Sequence, residues 1–135
     1  MDLKLQVLIC TFGERIGSLD TARLPEIEGV GYLISWQNPE GVEAERPVRK
    51  DIEIHEFADR GISRNRNHAF DAATAPYLLV SDDDLIYNDK EIRRLVEAFD
   101  INKTADIILL RSRYPGDKFY PDIPGRFPAE TDGYF

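Results

Sequence analysis

The chain has 135 residues, the length of one ordinary domain, and its 17 basic and 25 acidic side chains give a net charge of −8 at pH 7. Such an acidic chain is a poor generic binder of nucleic acid or of anionic membranes. No apolar run approaches the roughly 20 residues of a membrane span, and the opening residues lack the apolar core of a signal peptide. The single cysteine, Cys10, excludes a disulfide-stapled secreted fold and favours a reducing, cytoplasmic location.

Short apolar runs predict the strands. Residues 5–10, 31–36, 77–80 and 107–110 are continuous apolar runs, which are typical of strands covered on both faces, as in parallel sheets. Residues 51–57 alternate instead, with Ile52 and Ile54 on one face and Glu53 and His55 on the other. This alternation predicts a strand nearer the edge of the sheet.

Helical segments are predicted between the strands. Residues 61–75 form one candidate, stopped by Pro76, whose apolar face contains Ile62, Ala69, Phe70 and Ala73. A second begins near residue 89, where Asn88 and Glu91 have the spacing of a capping box, and its buried face contains Ile92, Leu95, Val96 and Phe99. Residues 14–24 are a weaker candidate because Gly17 interrupts them, and residues 38–50 are predicted to be a charged loop.

This alternation of strands and helices predicts an α/β fold of three layers, a mostly parallel, twisted sheet with flanking helices. Residues 1–113 are expected to form this domain. Residues 114–135 hold four of the eight prolines and several aromatic residues. They are expected to form an irregular tail that packs on the domain or on a partner.

Three consecutive aspartates follow the strand at 77–80, where ligands of such sheets bind, beyond the carboxyl ends of the strands. Two carboxylates separated by one residue, as Asp82 and Asp84 are, can converge on Mg²⁺ or Mn²⁺, because these cations prefer oxygen ligands. The alternative is a solvated acidic turn before the helix at 89. The position at the end of a buried strand favours the metal site.

A basic run at the start of the predicted helix supplies a second candidate. Arg66 lies four residues after Ile62 and is expected to point along the apolar face, whereas Arg64 points to water. A guanidinium in that position needs a planar acceptor, either on a ligand or on one of the aspartates at 82–84. His55 and His68 are expected to be surface or half-buried residues rather than metal ligands, because no second histidine is suitably spaced.

From residue 61 to residue 84 the chain resembles the core signature of the family 2 glycosyltransferases, which have the GT-A fold. In that family an Arg-Asn pair on a helix precedes a strand and an Asp-x-Asp motif. Here the pair is Arg66-Asn67 and the motif is residues 82–84. The first strand also resembles the family's, which commonly ends in Thr or Ser followed by an aromatic residue, here Thr11 and Phe12. The resemblance covers residues 4–110 and is strongest over 61–84.

The resemblance implies an inverting, metal-dependent glycosyltransferase that takes a nucleotide-sugar donor, a UDP-sugar, and uses Mn²⁺ or Mg²⁺. By this analogy Thr11 touches the uracil or ribose, and Arg66 touches the base or the diphosphate. Asp82 and Asp83 approach the ribose and diphosphate, and Asp84, with Asp82, holds the metal. Phe12 and Asn67 complete the donor-binding set. The acceptor, whether glycan, lipid or small molecule, is not implied.

One departure from the family pattern concerns the nucleobase. Family members usually carry a base-reading aspartate after the second strand, whereas this chain has Ser-Trp-Gln-Asn at 35–38. Gln37 or Asn38 would hydrogen-bond to the base edge, or Trp36 would stack on it, unless Trp36 is a core residue. The alternative is that this site does not read uracil in the family's usual way.

A second departure concerns the catalytic base. Inverting members carry it in a later half that also binds the acceptor. Glu130 and Asp132 are the only acids near the end of this chain, and no motif ties them to that role, so no catalytic residue is assigned. The alternative function is a non-catalytic or truncated nucleotide-sugar-binding module. A phosphoacceptor signalling domain is disfavoured, because the first strand ends without acidic residues.

Overall fold

The computed structural model describes residues 2–110, 113–114 and 118–119, and it contains two compact units, residues 1–92 and 93–135. The first unit contains the strands β1 (Leu5–Phe12), β2 (Val30–Gln37), β3 (Ile52–Phe57) and β4 (Tyr77–Asp82). They form one sheet in the order β3–β2–β1–β4, and every neighbouring pair is parallel. The predicted α/β class and parallel sheet are confirmed.

The two central strands carry the core. All eight residues of β2 are buried, and Leu5, Val7 and Leu8 of β1 are completely buried. β3 lies at an edge of the sheet, as its alternating sequence predicts. β4 lies at the other edge among the described strands, and Val80 is 42% exposed. The prediction that β4 is covered on both faces is therefore wrong. An apolar run shows that a strand is hydrophobic, but it does not show which elements pack against each of its faces.

The helix α1 (Ile62–Ala72) packs on one face of β1 and β2, where Ala69 joins Leu8 and Leu33 in a buried cluster. The predicted helix is confirmed, and its predicted buried face is correct at Ala69 and at Ala73, which packs against this cluster. It is wrong at Ile62, which is 69% exposed, and at Phe70, which is 47% exposed. Asn65 is buried in their place, because small residues let the helix approach the sheet closely and the Asn65 amide finds polar partners there.

The opposite face of the central strands packs against the 3₁₀ helix Gly13–Ser18 and against the predicted loop at 38–50, from which Arg46 lies over the Trp36 ring and Arg49 over the Tyr32 ring. A second 3₁₀ helix follows at Thr21–Arg23. Side chains alternate along a strand, so Tyr32 and Trp36 face away from α1. The Trp36 indole Nε1 donates to the carbonyl of Gly13 at 2.7 Å, and the Tyr32 hydroxyl donates to the carbonyl of Pro25 at 2.7 Å. Both faces of β1 and β2 are thus covered, which confirms the layered arrangement.

The helix α2 (Asp89–Ile101) begins with the predicted capping box. The Asn88 amide N–H donates to the Glu91 carboxylate at 3.1 Å, and the Glu91 amide N–H donates to the Asn88 side chain at 2.8 Å. In this helix Ile92 and Leu95 are buried, as predicted. No helix in the described part of the chain is long and apolar enough to span a membrane.

The second unit, which begins at residue 93, contains a short antiparallel pair, β5 (Arg113–Tyr114) and β6 (Lys118–Phe119). The predicted fifth strand at 107–110 is wrong, because these residues are irregular and Ile107 is 78% exposed. A strand needs hydrogen-bonding partners along its length, and an apolar sequence alone does not supply them. Apart from β5 and β6, the predicted tail at 114–135 lies outside the described residues.

Candidate functional site

The carboxyl ends of β1, β2 and β4 meet at one edge of the sheet and place the predicted site residues there. In the parallel register Cys10 is paired with Asp82, and Phe12 is paired with Gln37. The aspartates at 82–84 therefore lie beside the end of β1, although about 70 residues separate the two segments in sequence. The expected meeting of these segments at the edge of the sheet is confirmed.

Asp83 is the most constrained of the three aspartates. Its Oδ2 accepts a hydrogen bond from the Thr11 hydroxyl at 2.9 Å, and its Oδ1 accepts one from Nη2 of Arg15. The Asp83 side chain is only 10% exposed, and Thr11 is 3% exposed. Both carboxylate oxygens of Asp83 are thus engaged by the protein, and the Thr11 side chain faces Asp83 rather than open solvent.

Asp82 points to a different partner. Its Oδ1 lies 3.6 Å from Nη2 of Arg66, an ion pair in which the two side chains are 66% and 45% exposed. Successive side chains at the end of a strand point to opposite faces, so Asp82 and Asp83 diverge. The internal salt bridge expected for Arg66 as one of its two partners is present. The Arg66 side chain is 45% exposed, so the prediction that it points along the buried face of α1 is wrong.

The Arg66–Asp82 pair lies close to the only cysteine of the chain. Burial raises the pKa of the Cys10 thiol above its ordinary value of 9.0. The positive charge of Arg66 lowers this pKa, and the negative charges of Asp82 and Asp83 raise it. The pKa of the Cys10 thiol therefore depends on the charges of Arg66, Asp82 and Asp83.

Asp84 is exposed and, within the described ranges, has no ion-pair partner. It lines a cavity of about 270 Å³ that lies beside the end of β4. Four apolar side chains also line this cavity, together with charged ones that include Arg15, Asp20 and Arg23. The three aspartates thus border one open cleft.

The described residues hold no group of three or more His, Cys, Asp or Glu side chains able to bind a metal. Magnesium, however, is commonly held by one or two carboxylates together with substrate phosphates. Asp82 and Asp84 are separated by one residue, are both exposed and both line the cavity, so they fit that donor set. Asp83 does not fit it, because Thr11 and Arg15 occupy both of its oxygens.

A buried polar network supports the end of β1. Asn65 of α1 donates from Nδ2 to the carbonyl of Thr11 at 3.1 Å and accepts from the Ser35 hydroxyl at 2.6 Å. Asn65 is 4% exposed and Ser35 is fully buried. Gly61 starts this helix with φ at +117°, a conformation that L side chains rarely adopt. The network fixes α1, β2 and β1 relative to one another at the site.

The residues at 36–38 are engaged by the protein. Trp36 is completely buried, which confirms that it is a core residue. Gln37 is 2% exposed and donates from Nε2 to Asp59 at 3.0 Å. Asn38 is 7% exposed and bonds to both backbone groups of Val42. A ligand could reach the amides of Gln37 and Asn38 only by displacing these contacts.

Asp59 joins Gln37 to His68. The His68 ring donates from Nε2 to Asp59 at 2.7 Å and stacks on Phe57, with 3.9 Å between ring centroids. The hydrogen bond from His68 is the main cause that lowers the pKa of the Asp59 carboxyl below its ordinary 3.8, and the Gln37 hydrogen bond adds to it. His68 is thus half-buried, one of the two environments predicted for it, and bound to a carboxylate.

Two predicted site residues are open to solvent. Phe12 is 39% exposed at the end of β1, with the Arg60 guanidinium 5.5 Å from its ring centroid. Asn67 is exposed on α1. Their predicted contacts with a donor stay predictions, as do those of Thr11 and Gln37.

The sequence analysis assigned no role to three residues of this site: Arg15, Asp59 and Asn65. Arg15 and Asp59 each lie a few residues beyond the end of a predicted strand. Ligands of parallel sheets bind beyond the carboxyl ends of the strands, so this position was the signal that could have found them. The signal for Asn65 was the series of alanines at 69, 72 and 73, which marks the close-packed face of the helix.

A comparison with protein families gives one match: the model of glycosyl transferase family 2 matches residues 43–131, well over half of the chain. The match includes the Arg-Asn pair and the aspartates at 82–84. It begins after β1 and β2, so the likeness of the first strand lies outside it. Searches of the curated proteins and of the solved structures each return no match.

Proposed function

The chain belongs to the family 2 glycosyltransferases, and on this premise we propose that it binds a UDP-sugar at the carboxyl edge of its sheet. The transfer of the sugar to an acceptor hydroxyl with inversion is part of this proposal. The observation that carries it is that Arg15 and residues 82–84 line one cavity and that Arg66 pairs with Asp82, one of these aspartates. Guanidinium groups pair well with phosphates, and Arg15 and Arg66 each contact one of the three aspartates.

Asp84 and Asp82 are the proposed ligands of a divalent cation, Mn²⁺ or Mg²⁺. Both side chains are exposed at the cavity, and the Asp84 carboxylate has no basic partner among the described residues. A cation bound there would offset the negative charge of the donor diphosphate and of the leaving nucleotide. The acidic cleft, in a chain of net charge −8, makes diphosphate binding without a cation weak.

The protein's own groups would hold and orient the donor. Arg66 and the first turn of α1 present a positive charge and free backbone N–H groups, which favour a phosphate. Phe12 offers an exposed aromatic face at the end of β1 for the nucleobase. Asn65 fixes the strand and helix that carry these groups. Binding in one orientation brings the anomeric carbon to an acceptor without further loss of freedom.

In the proposed transfer the acceptor oxygen forms a bond to the anomeric carbon as the bond from that carbon to the diphosphate breaks. The acceptor hydroxyl loses its proton to a base. None of the described residues is assigned this role, and Glu130 and Asp132 lie outside them. The role proposed for the described residues is therefore donor binding, and a non-catalytic nucleotide-sugar-binding module is the second candidate function.

Calorimetric titration with UDP tests donor binding. We expect binding in the presence of Mn²⁺, a strong loss of affinity in excess chelator, and a comparable loss for Asp84→Asn. Asp71→Asn, an exposed aspartate of α1 outside the cavity lining, is the matched control and should bind like the original chain. Equally tight binding of UDP with chelator present would contradict the metal proposal, and no binding of UDP under any condition would contradict donor binding.

Release of UDP from a panel of UDP-sugars separates the two candidate functions. A transferase releases UDP as sugar is transferred to an acceptor or, slowly, to water. A binding module binds UDP-sugars in the titration but releases no UDP above the rate measured without protein.

A further inference from the structure

Two arginines that the resemblance does not assign, Arg15 and Arg23, line the cavity beside the aspartates. Nε of Arg23 lies 3.6 Å from Oδ2 of Asp20, the N-cap residue of the 3₁₀ helix that contains Arg23. Arg15 is bound through Nη2 to Asp83, yet its side chain is 62% exposed. A guanidinium carries five N–H donors in a fixed fork. Arg15 therefore keeps donors for a ligand while Asp83 holds one end of the fork.

Asp83 is held in a fixed position, from which it binds Arg15. Its side chain is 10% exposed, and the Thr11 hydroxyl holds its second oxygen at 2.9 Å. Thr11 in turn accepts from Asn65 through its carbonyl, so the position of Asp83 depends on the buried network. An exposed arginine ordinarily samples many rotamers, and pairing to a fixed carboxylate removes much of that freedom before a ligand arrives.

Size and charge indicate which part of the donor fits the cavity. About 270 Å³ is below the roughly 300–1,000 Å³ of pockets that enclose drug-sized ligands, so the cavity accommodates part of a nucleotide sugar. Asp83 is neutralised by Arg15, Asp20 by Arg23 and Asp82 by Arg66. Among the lining residues the remaining charge is that of the Asp84 carboxylate. A divalent cation bound there would leave a net positive charge, which the donor diphosphate would offset.

We propose that Arg15 binds the diphosphate of the donor in this cavity and that Asp83 is a positioning residue for Arg15, not a metal ligand or a donor contact. The proposal rests on the proposed function above. Arginine pairs with phosphate oxygens through two parallel N–H bonds, a geometry that lysine cannot reproduce. Asp83 supplies the fixed anchor, and the Arg15 fork supplies the contact.

The test compares UDP with uridine, which lacks the diphosphate, by titration in Mn²⁺. Arg15→Met should weaken UDP binding by about tenfold to a hundredfold, the size of a charged hydrogen-bonded contact, and leave uridine binding unchanged. Arg15→Lys should recover part of the loss. Arg94→Met, an exposed arginine that does not line the cavity, is the control and should bind both ligands normally.

The outcomes separate this proposal from the proposed function. If the original chain does not bind UDP, the proposed function fails and takes the Arg15 proposal with it. If the original chain binds UDP and Arg15→Met binds it equally well, or loses uridine to the same extent, only the Arg15 proposal is overturned.

A double-mutant cycle tests the positioning role of Asp83. Asp83→Asn should weaken UDP binding and spare uridine, and it should cause no further loss in the Arg15→Met background, because its effect passes through Arg15. Melting temperatures of all variants check that each one folds. A loss of UDP affinity from Asp83→Asn that is equally large with and without Arg15 would overturn the positioning role.

Discussion

The hydroxyl of Thr11 donates to the carboxylate of Asp83 across 2.9 Å and so joins two residues that are 72 positions apart in sequence. Thr11 is the penultimate residue of the central strand β1, and Asp83 begins the turn after β4. This bond separates Asp83 from Asp82, which faces Arg66 instead. The three adjacent aspartates therefore have three different environments, and their roles in the proposed site differ accordingly.

Removal of the Thr11 hydroxyl tests that bond. Thr11→Val keeps the shape of the side chain but leaves Asp83 Oδ2 without its donor in a largely buried position. We expect a loss of about 1.5–3 kcal/mol in the free energy of unfolding, the range for hydrogen bonds to charged groups. Urea unfolding measures it. Thr11→Ser keeps the hydroxyl and should recover most of the stability, and equal losses for the two variants would show that the methyl group matters instead.

Asn65 should be the most sensitive polar residue of α1. Asn65→Ala removes the side-chain donor to the buried Thr11 carbonyl and leaves the Ser35 hydroxyl only the main-chain carbonyl of residue 65, at 3.2 Å, so we expect a loss of about 1–3 kcal/mol. Asn67→Ala, on the exposed side of the same helix, should change stability by about 0.5 kcal/mol or less. Chemical unfolding of both variants measures the difference, and similar losses would contradict the network.

Asp59 should contribute to stability in a pH-dependent manner. Its pKa is lowered in the folded state, chiefly by the hydrogen bond from His68, so its contribution is present above the unfolded value near 3.8 and is lost as pH falls through the folded pKa. Stability measured from pH 7 to pH 3 should show the advantage over Asp59→Asn shrinking below about pH 4. An advantage that is constant over this range would contradict the interpretation.

Cys10 offers a chemical probe of the Arg66–Asp82 pair, because it is the single thiol of the chain. The thiolate is the reactive form, and burial raises the thiol pKa, so a thiol reagent at pH 8 should react more slowly with the folded chain than with the chain in urea. Arg66→Met removes a charge that lowers this pKa and should slow the reaction further. Asp82→Asn removes a charge that raises it and should speed the reaction. Opposite signs would place Cys10 in a different electrostatic environment.

The sequence by itself determined the parallel sheet. The apolar runs at 5–10, 31–36 and 77–80 mark strands, and helical or loop segments lie between them. Strands joined in this way run parallel to one another. It also determined which segments meet, since the carboxyl ends of parallel strands share one edge. The pair Arg66-Asn67 and the aspartates at 82–84 carried the family resemblance, and the family match includes them.

Only the tertiary structure decided how the side chains at that edge are paired. The strand end turns Asp82 and Asp83 to opposite sides, and their partners, Arg66 and Arg15, come from two different segments, α1 and the 3₁₀ helix after β1. It also decided that α1 buries Asn65 instead of Ile62, because the polar partners of the amide lie on β1 and β2. The periodicity of a sequence shows which face of a helix is apolar. It does not show the hydrogen-bond partners on other strands that allow a polar residue such as Asn65 to be buried.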